Sequence, residues 1–111
     1  MQIEERRVDG NLVIRILEER LGADKAAAFK QTIGGYLQAG HRRLILDFSH
    51  VEFVDSSGLG AILSVRKQVG GDGLIISGAT EAVSSMFKLT RMDRVFEIYE
   101  TLDKALAAQT R

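Results

Sequence analysis

The stretch that decides the fold runs Leu44-Ile45-Leu46-Asp47-Phe48-Ser49-His50-Val51-Glu52-Phe53-Val54-Asp55-Ser56-Ser57-Gly58-Leu59-Gly60-Ala61-Ile62-Leu63. It opens on a short apolar run, typical of a central strand covered on both faces. An exposed-type loop follows, then the apolar pair Phe53-Val54, then Asp-Ser-Ser-Gly. Beyond that, Leu59, Ile62, Leu63, Arg66 and Val69 fall at helical spacing, so a helix is expected over 59–69. Two hydroxyls therefore sit at the start of a helix, where a strand has just ended. Open α/β sheets place their ligands on that side.

Working outward, the flanking segments read as alternating strands and helices. Ile3 to Val8 and Leu12 to Leu17 are two strands. Asp9-Gly10 between them suits a primed turn, because both residues tolerate positive φ. Asp24 to Ala39 reads as a helix with Asp24 as N-cap, an apolar face of Ala26, Phe29, Ile33 and Leu37, and Gly40 at its end. Gly34-Gly35 inside it costs about 1 kcal/mol per glycine relative to alanine, and close packing against another backbone would account for it. Gly70-Gly71-Asp72-Gly73 is a turn, and Leu74 to Ser77 a buried strand. Thr80 caps a helix to about Leu89 that buries Val83, Met86 and Phe87. Arg94 to Tyr99 reads as a strand, and Thr101 caps a last helix carrying Leu102, Ala105 and Leu106.

The order is β-β-α-β-α-β-α-β-α. Four helices accompany a mixed, mostly parallel sheet of four to five strands, to which the N-terminal β-hairpin adds an antiparallel edge, an α/β class with right-handed crossovers. The 111 residues contain no proline, no linker and no internal repeat, so 1–111 is expected to be a single domain.

Composition narrows the function classes. Lys and Arg total 15, as do Asp and Glu, so no global field draws in nucleic acid or anionic membrane. There are no cysteines, which removes disulfides, thiolate metal sites and cysteine nucleophiles, and fits a cytoplasmic protein. No signal-peptide core or apolar run long enough for a membrane helix occurs. With two histidines, His41 and His50, a buried metal site is not expected. Glu4, Glu5, Arg6 and Arg7 read as a solvated strand edge, and Arg42-Arg43 as a complement to a helix end.

Two readings of Asp55-Ser56-Ser57-Gly58 stand side by side. Asp and Ser are favoured N-cap residues, and capping alone explains one of them. Three cap-type residues in a row exceed that need. Gly58 and Gly60, each raising the cost of the first helical turns by about 1 kcal/mol, suit a close approach by another surface. The second reading is a phosphate at this point, on a serine or on a ligand, held at the positive end of a helix.

Phe53-Val54-Asp55-Ser56-Ser57-Gly58-Leu59-Gly60 is similar to the Asp-Ser-[Ser/Thr]-Gly-Leu-Gly motif of the bacterial anti-sigma factor antagonists, members of the STAS domain family. The stretch Phe87-Lys88-Leu89-Thr90-Arg91-Met92-Asp93-Arg94-Val95-Phe96-Glu97-Ile98-Tyr99 resembles that family's third helix running into its final strand, and the β-β-α opening matches. The resemblance implies a STAS fold and a phosphorylation site at Ser56, with Ser57 as a second hydroxyl and helix cap. It implies a partner, an anti-sigma factor that is also an ATP-dependent serine kinase. Binding of the unphosphorylated protein releases a sigma factor. Phosphorylation dissociates the complex, and a PP2C-type serine phosphatase resets it.

The implied docking surface comprises Asp55, Ser57, Gly58, Leu59 and Gly60. The exposed positions Ser64 and Lys67 of the following helix belong to it, as do Leu21, Gly22, Ala23 and Asp24 after the second strand. Family members carry Gly-x-Leu-Asp in that loop, whereas this chain has Glu19-Arg20-Leu21-Gly22. No cofactor, direct nucleic-acid contact or membrane attachment is implied, and the oligomeric state is open between monomer and weak dimer.

Other classes fit less well. A serine hydrolase elbow needs Gly-x-Ser-x-Gly, which fails at both serines, and its base would have to be His41 or His50. Gly58-Leu59-Gly60-Ala61-Ile62-Leu63 lacks the third glycine of a dinucleotide fingerprint. The remaining alternative is a non-switching STAS scaffold in a stress-signalling or transporter-associated complex.

Overall fold

The structure is a computed structural model that describes residues 1–41, 43–70 and 73–109. Arg42 of the arginine pair and Gly71-Asp72 of the expected turn lie outside the described residues. The chain begins with strands β1 (Ile3–Val8) and β2 (Asn11–Ile16), paired antiparallel from Ile3 opposite Ile16 to Val8 opposite Asn11. Asp9 and Gly10 take φ of 52° and 81°, so both central turn residues are left-handed as a primed hairpin requires.

A two-residue strand β3 (Arg20–Leu21) leads into helix α1 (Ala23–Gln38). Strands β4 (Leu44–Asp47) and β5 (Phe53–Val54) precede helix α2 (Ser56–Val69). Strand β6 (Leu74–Ser77), helix α3 (Glu81–Leu89), a 3-10 turn (Met92–Arg94), strand β7 (Glu97–Tyr99) and helix α4 (Leu102–Gln109) complete the order.

The main sheet has the order β1-β2-β4-β6-β7, with every pair after the hairpin parallel. β4 lies at its centre and all four of its residues are buried. Alternation along the strands sends side chains to two layers. Leu12, Ile14, Leu44, Leu46, Leu74 and Ile76 join the cluster with Phe29 and Ile33 of α1, Ile62 and Val65 of α2, and Val83 and Phe87 of α3. Val13, Ile45 and Ile75 meet Ala105 of α4 in a smaller cluster. The expected α/β architecture with four helices is thus the observed one.

Several expectations are corrected. α1 starts at Ala23, with Gly22 as N-cap, so Asp24 is a first-turn residue and no cap. α2 starts at Ser56, three residues before the first apolar position, because Asp55 caps it. The segment from Arg94 to Tyr99 is a strand only from Glu97. Arg91 is left-handed at φ 64°, and the N–H groups of Val95 and Phe96 both bond to the Met92 carbonyl, curling the chain so that Phe96 packs on Phe87 at 5.7 Å.

Gly34 and Gly35 approach no other backbone. A Cβ at Gly34 would meet only the Gln68 side-chain oxygen at 3.6 Å, and at Gly35 nothing within 4 Å. Met86 is only half-buried. Gly40 ends α1 at φ 100°, where the N–H of Gly40 bonds to Leu37 O and that of His41 to Tyr36 O, the pattern of a left-handed helix stop.

Candidate functional site

Asp47 ends β4 and turns the chain toward the motif. Its buried carboxylate pairs with Arg15 at 3.0 Å and accepts the Ser49 N–H at 2.9 Å. The chain then crosses to β5, which pairs in parallel with β3, Arg20 opposite Phe53 and Leu21 opposite Val54. The N–H groups of Glu52 and Phe53 both bond to Glu19 O, at 2.7 and 3.1 Å. The loop after the second strand is therefore fastened to the motif by backbone bonds, which do not depend on the Gly-x-Leu-Asp side chains that this chain lacks.

Asp55 completes the junction. It is extended, at φ −95° and ψ −176°, and its Oδ1 accepts the Gly58 N–H at 2.9 Å. Its Oδ2 accepts the Ala23 N–H at 3.2 Å. One carboxylate thus serves the first turns of both α2 and α1, satisfying donors that a helix start leaves unpaired. The Gly58 N–H, above all, holds the Asp55 carboxyl below the usual aspartate range. Desolvation opposes this, and the N–H groups of Ala23 and Ser57 and the charge of Arg20 add to it.

Gly58 is required by this junction. A Cβ there would lie 1.9 Å from the Leu21 carbonyl oxygen and 3.2 Å from Val54 Cγ1. Within the chain the close approach is made at Gly58, whereas a Cβ at Gly60, which is exposed, would meet nothing within 4 Å. Gly22 is similarly tight, with Asp55 Oδ2 2.9 Å from its would-be Cβ.

Ser56 and Ser57 are exposed in the first turn of α2, and neither is the cap. The expectation of Ser57 as a cap is corrected, because Asp55 fills that role. Gly60, Lys67, Ala23 and Asp24 are also exposed, while Leu59 and Ser64 are half-buried. Ser64 is therefore less available than expected. Leu21, Gly22 and Gly58 are buried and shape the surface from beneath.

Sequence reasoning missed Arg20 and Phe53. Phe53 is 41 % exposed, and the Arg20 guanidinium lies 4.4 Å above its ring centre, a cation–π stack beside the serines. The signal was present in the pair Phe53-Val54, since adjacent strand residues face opposite ways and Val54 is the buried one.

His50 is exposed, with Nδ1 3.5 Å from the Ser49 hydroxyl, and His41 packs edge-on to Tyr36. Among the described residues neither imidazole hydrogen-bonds to Ser56 or Ser57. Among the described residues no cluster of His, Asp and Glu could hold a metal ion, and no helix is long and apolar enough to cross a membrane.

The family model of the STAS domain matches residues 2–105. The chain belongs to the STAS family. A Thermotoga maritima relative named "Putative anti-sigma factor antagonist" is 28% identical over 103 residues, covering 90% of this chain and 91% of the relative. The crystal structure of an anti-sigma factor antagonist from Mycobacterium paratuberculosis is 29% identical, with a TM-score of 0.85 over 96% of this chain and 92% of that one. The Bacillus cell fate determinant SpoIIAA, solved in its phosphorylated form, shares the fold at a TM-score of 0.68 and 18% identity, covering 96% of this chain and 98% of that one.

Proposed function

We propose that this STAS chain is an anti-sigma factor antagonist working by partner switching. In its unmodified form it binds an anti-sigma factor that is also an ATP-dependent serine kinase, and a sigma factor is released. The kinase phosphorylates Ser56, the complex dissociates, and a PP2C-type phosphatase restores the binding form. The chain acts by binding and not by catalysis, in the cytoplasm. The observation that carries this reading is an exposed Ser56 hydroxyl at the start of α2, directly after a carboxylate already committed to two helix starts.

The electrostatics give the switch its direction. A phosphoserine adds about −1.5 to −2 charges at pH 7. The α2 N-terminus tolerates an anion, so the fold has no reason to change. A partner surface shaped for the neutral hydroxyl would bury that charge beside ionised Asp55, at a cost of several kcal/mol, and each ~1.4 kcal/mol is tenfold in affinity. The test is titration calorimetry of the native chain and Ser56→Asp against the cognate kinase. A fall in affinity of about tenfold or more, with an unchanged thermal midpoint, is expected. Equal binding by the two would overturn the proposal.

A further inference from the structure

The pairing of β3 with β5 sets two side chains on one outward face. Leu21 and Val54 are buried, and their neighbours Arg20 and Phe53 lie opposite one another on the solvent side. There the Arg20 guanidinium stacks 4.4 Å above the Phe53 ring centre. Among the described residues Arg20 forms no ion pair with a carboxylate. A stack over a ring face leaves the edge of the guanidinium, with its fork of N–H donors, turned to solvent.

The same strand pair keeps Ser56 close. The Asp55 N–H bonds to the Leu21 carbonyl at 3.4 Å, one residue after Arg20, and Ser56 follows Asp55. Ser56 lies three positions after Phe53, at most about 11 Å along the chain. An arginine side chain and a phosphorylated serine side chain together span that gap. Beside the Gly58 N–H, the Arg20 charge helps to hold the Asp55 carboxyl below the usual aspartate range, so its field already reaches this junction. The other charged groups here offer a phosphate no free cation. Glu19, Glu52, Asp24 and Asp55 are anionic, and Lys25 pairs with Glu18 at 3.5 Å.

We propose that phosphorylation of Ser56 draws Arg20 off Phe53 and onto the phosphate, so that the switch has two parts: a charge gained at Ser56 and a guanidinium withdrawn from the docking surface. This rests on Ser56 being the modified residue. An exposed cation–π contact is weak, whereas a bidentate, charge-assisted pair with a near-dianion is strong. The exchange is local, because β3 is held to β5 by backbone pairing and only an exposed side chain moves. The unmodified surface presents an unpaired cation over an aromatic ring, which suits a carboxylate of the partner. The phosphorylated surface has already satisfied that cation from within the chain.

The test uses the full chain with phosphoserine installed at position 56 during synthesis, alone and with Arg20→Gln or Lys25→Gln. Phosphorus NMR against pH reads the second ionisation of the phosphate, ordinarily at ~6. It is expected lower with Arg20 present than in Arg20→Gln, because the guanidinium favours the dianion, and unmoved by Lys25→Gln. Proton NMR reads the stack. The Arg20 side-chain signals, shifted upfield by the Phe53 ring in the unmodified chain, are expected to lose that shift when Ser56 carries phosphate and to match those of Phe53→Leu. An ionisation that Arg20→Gln leaves unchanged, or that Lys25→Gln raises as much, overturns the proposal. So does a ring shift on Arg20 that survives phosphorylation. Arg20 is exposed, so its replacement spares the core. No kinase is needed for these readings, so they stand apart from the partner-switching function, which fails instead if nothing in the native source phosphorylates Ser56.

Discussion

Replacing Gly58 and Gly60 by alanine separates a glycine that the junction needs from one that it does not. Both lie in α2, two residues apart, and intrinsic helix propensity favours alanine at each by about 1 kcal/mol. At Gly60 nothing opposes that gain, because the added Cβ meets nothing within 4 Å. At Gly58 the Cβ lands 1.9 Å from Leu21 O and 2.9 Å from Leu21 C. Ordinary contacts need about 3.5 Å, so α2 and β3 must separate by more than about 1 Å. The Leu21 carbonyl cannot simply yield. Leu21 is fully buried, β3 is paired to β5, and the carbonyl accepts the Asp55 N–H.

Overpacking of this kind costs about 1–3 kcal/mol, and contact with backbone belongs at the upper end or beyond, which leaves a net loss of about 2 kcal/mol after the propensity gain. For a chain of this length about 1 kcal/mol corresponds to about 4 °C. Differential scanning calorimetry should therefore show Gly60→Ala melting about 4 °C above the native chain and Gly58→Ala about 8 °C below it. A Gly58→Ala variant as stable as the native chain would refute the close approach of Leu21 to α2.

Other perturbations follow from the same contacts. The folded state lowers the Asp55 pKa, so its ionised form contributes stability above the unfolded aspartate value near 3.9, and that contribution disappears as pH falls through the lower folded value. Thermal melts from pH 7 to 3 should show the native chain losing more stability on acidification than Asp55→Asn; parallel profiles would contradict the junction. Thr80 caps α3 through the Val83 N–H and donates to the buried Val51 carbonyl at 3.1 Å, so Thr80→Ala should cost about 1–2 kcal/mol in urea unfolding. Phe53→Ala removes an exposed ring beside the serines. It should lower affinity for the partner kinase about tenfold in calorimetry while the thermal midpoint stays put.

The sheet was legible because its signals are local. Asp9-Gly10 announces the hairpin, apolar runs at 44–48 and 74–77 announce buried strands, and Thr80 and Thr101 mark helix starts that the structure retains. What escaped depends on contacts between distant segments. β3 has two residues and no periodicity, and exists because it pairs with β5. The start of α1 is hidden from local signals because the carboxylate that accepts its Ala23 N–H belongs to Asp55, 32 positions on, while Asp24 sits in the first turn without capping it. Ser56 needed only the motif to be found, but the exposure of Phe53 and the burial of Leu21 needed the β3–β5 pairing.

The central claim is that Ser56 is a phosphorylation switch. Its most direct test is phosphosite mapping by mass spectrometry, with the purified chain and Ser56→Ala incubated with ATP in lysate of the native source. One phosphate on Ser56, absent from the variant, is the predicted result. No phosphate on Ser56, in a lysate that modifies a control substrate, would contradict the account and leave Asp55-Ser56 as a helix start without a switch.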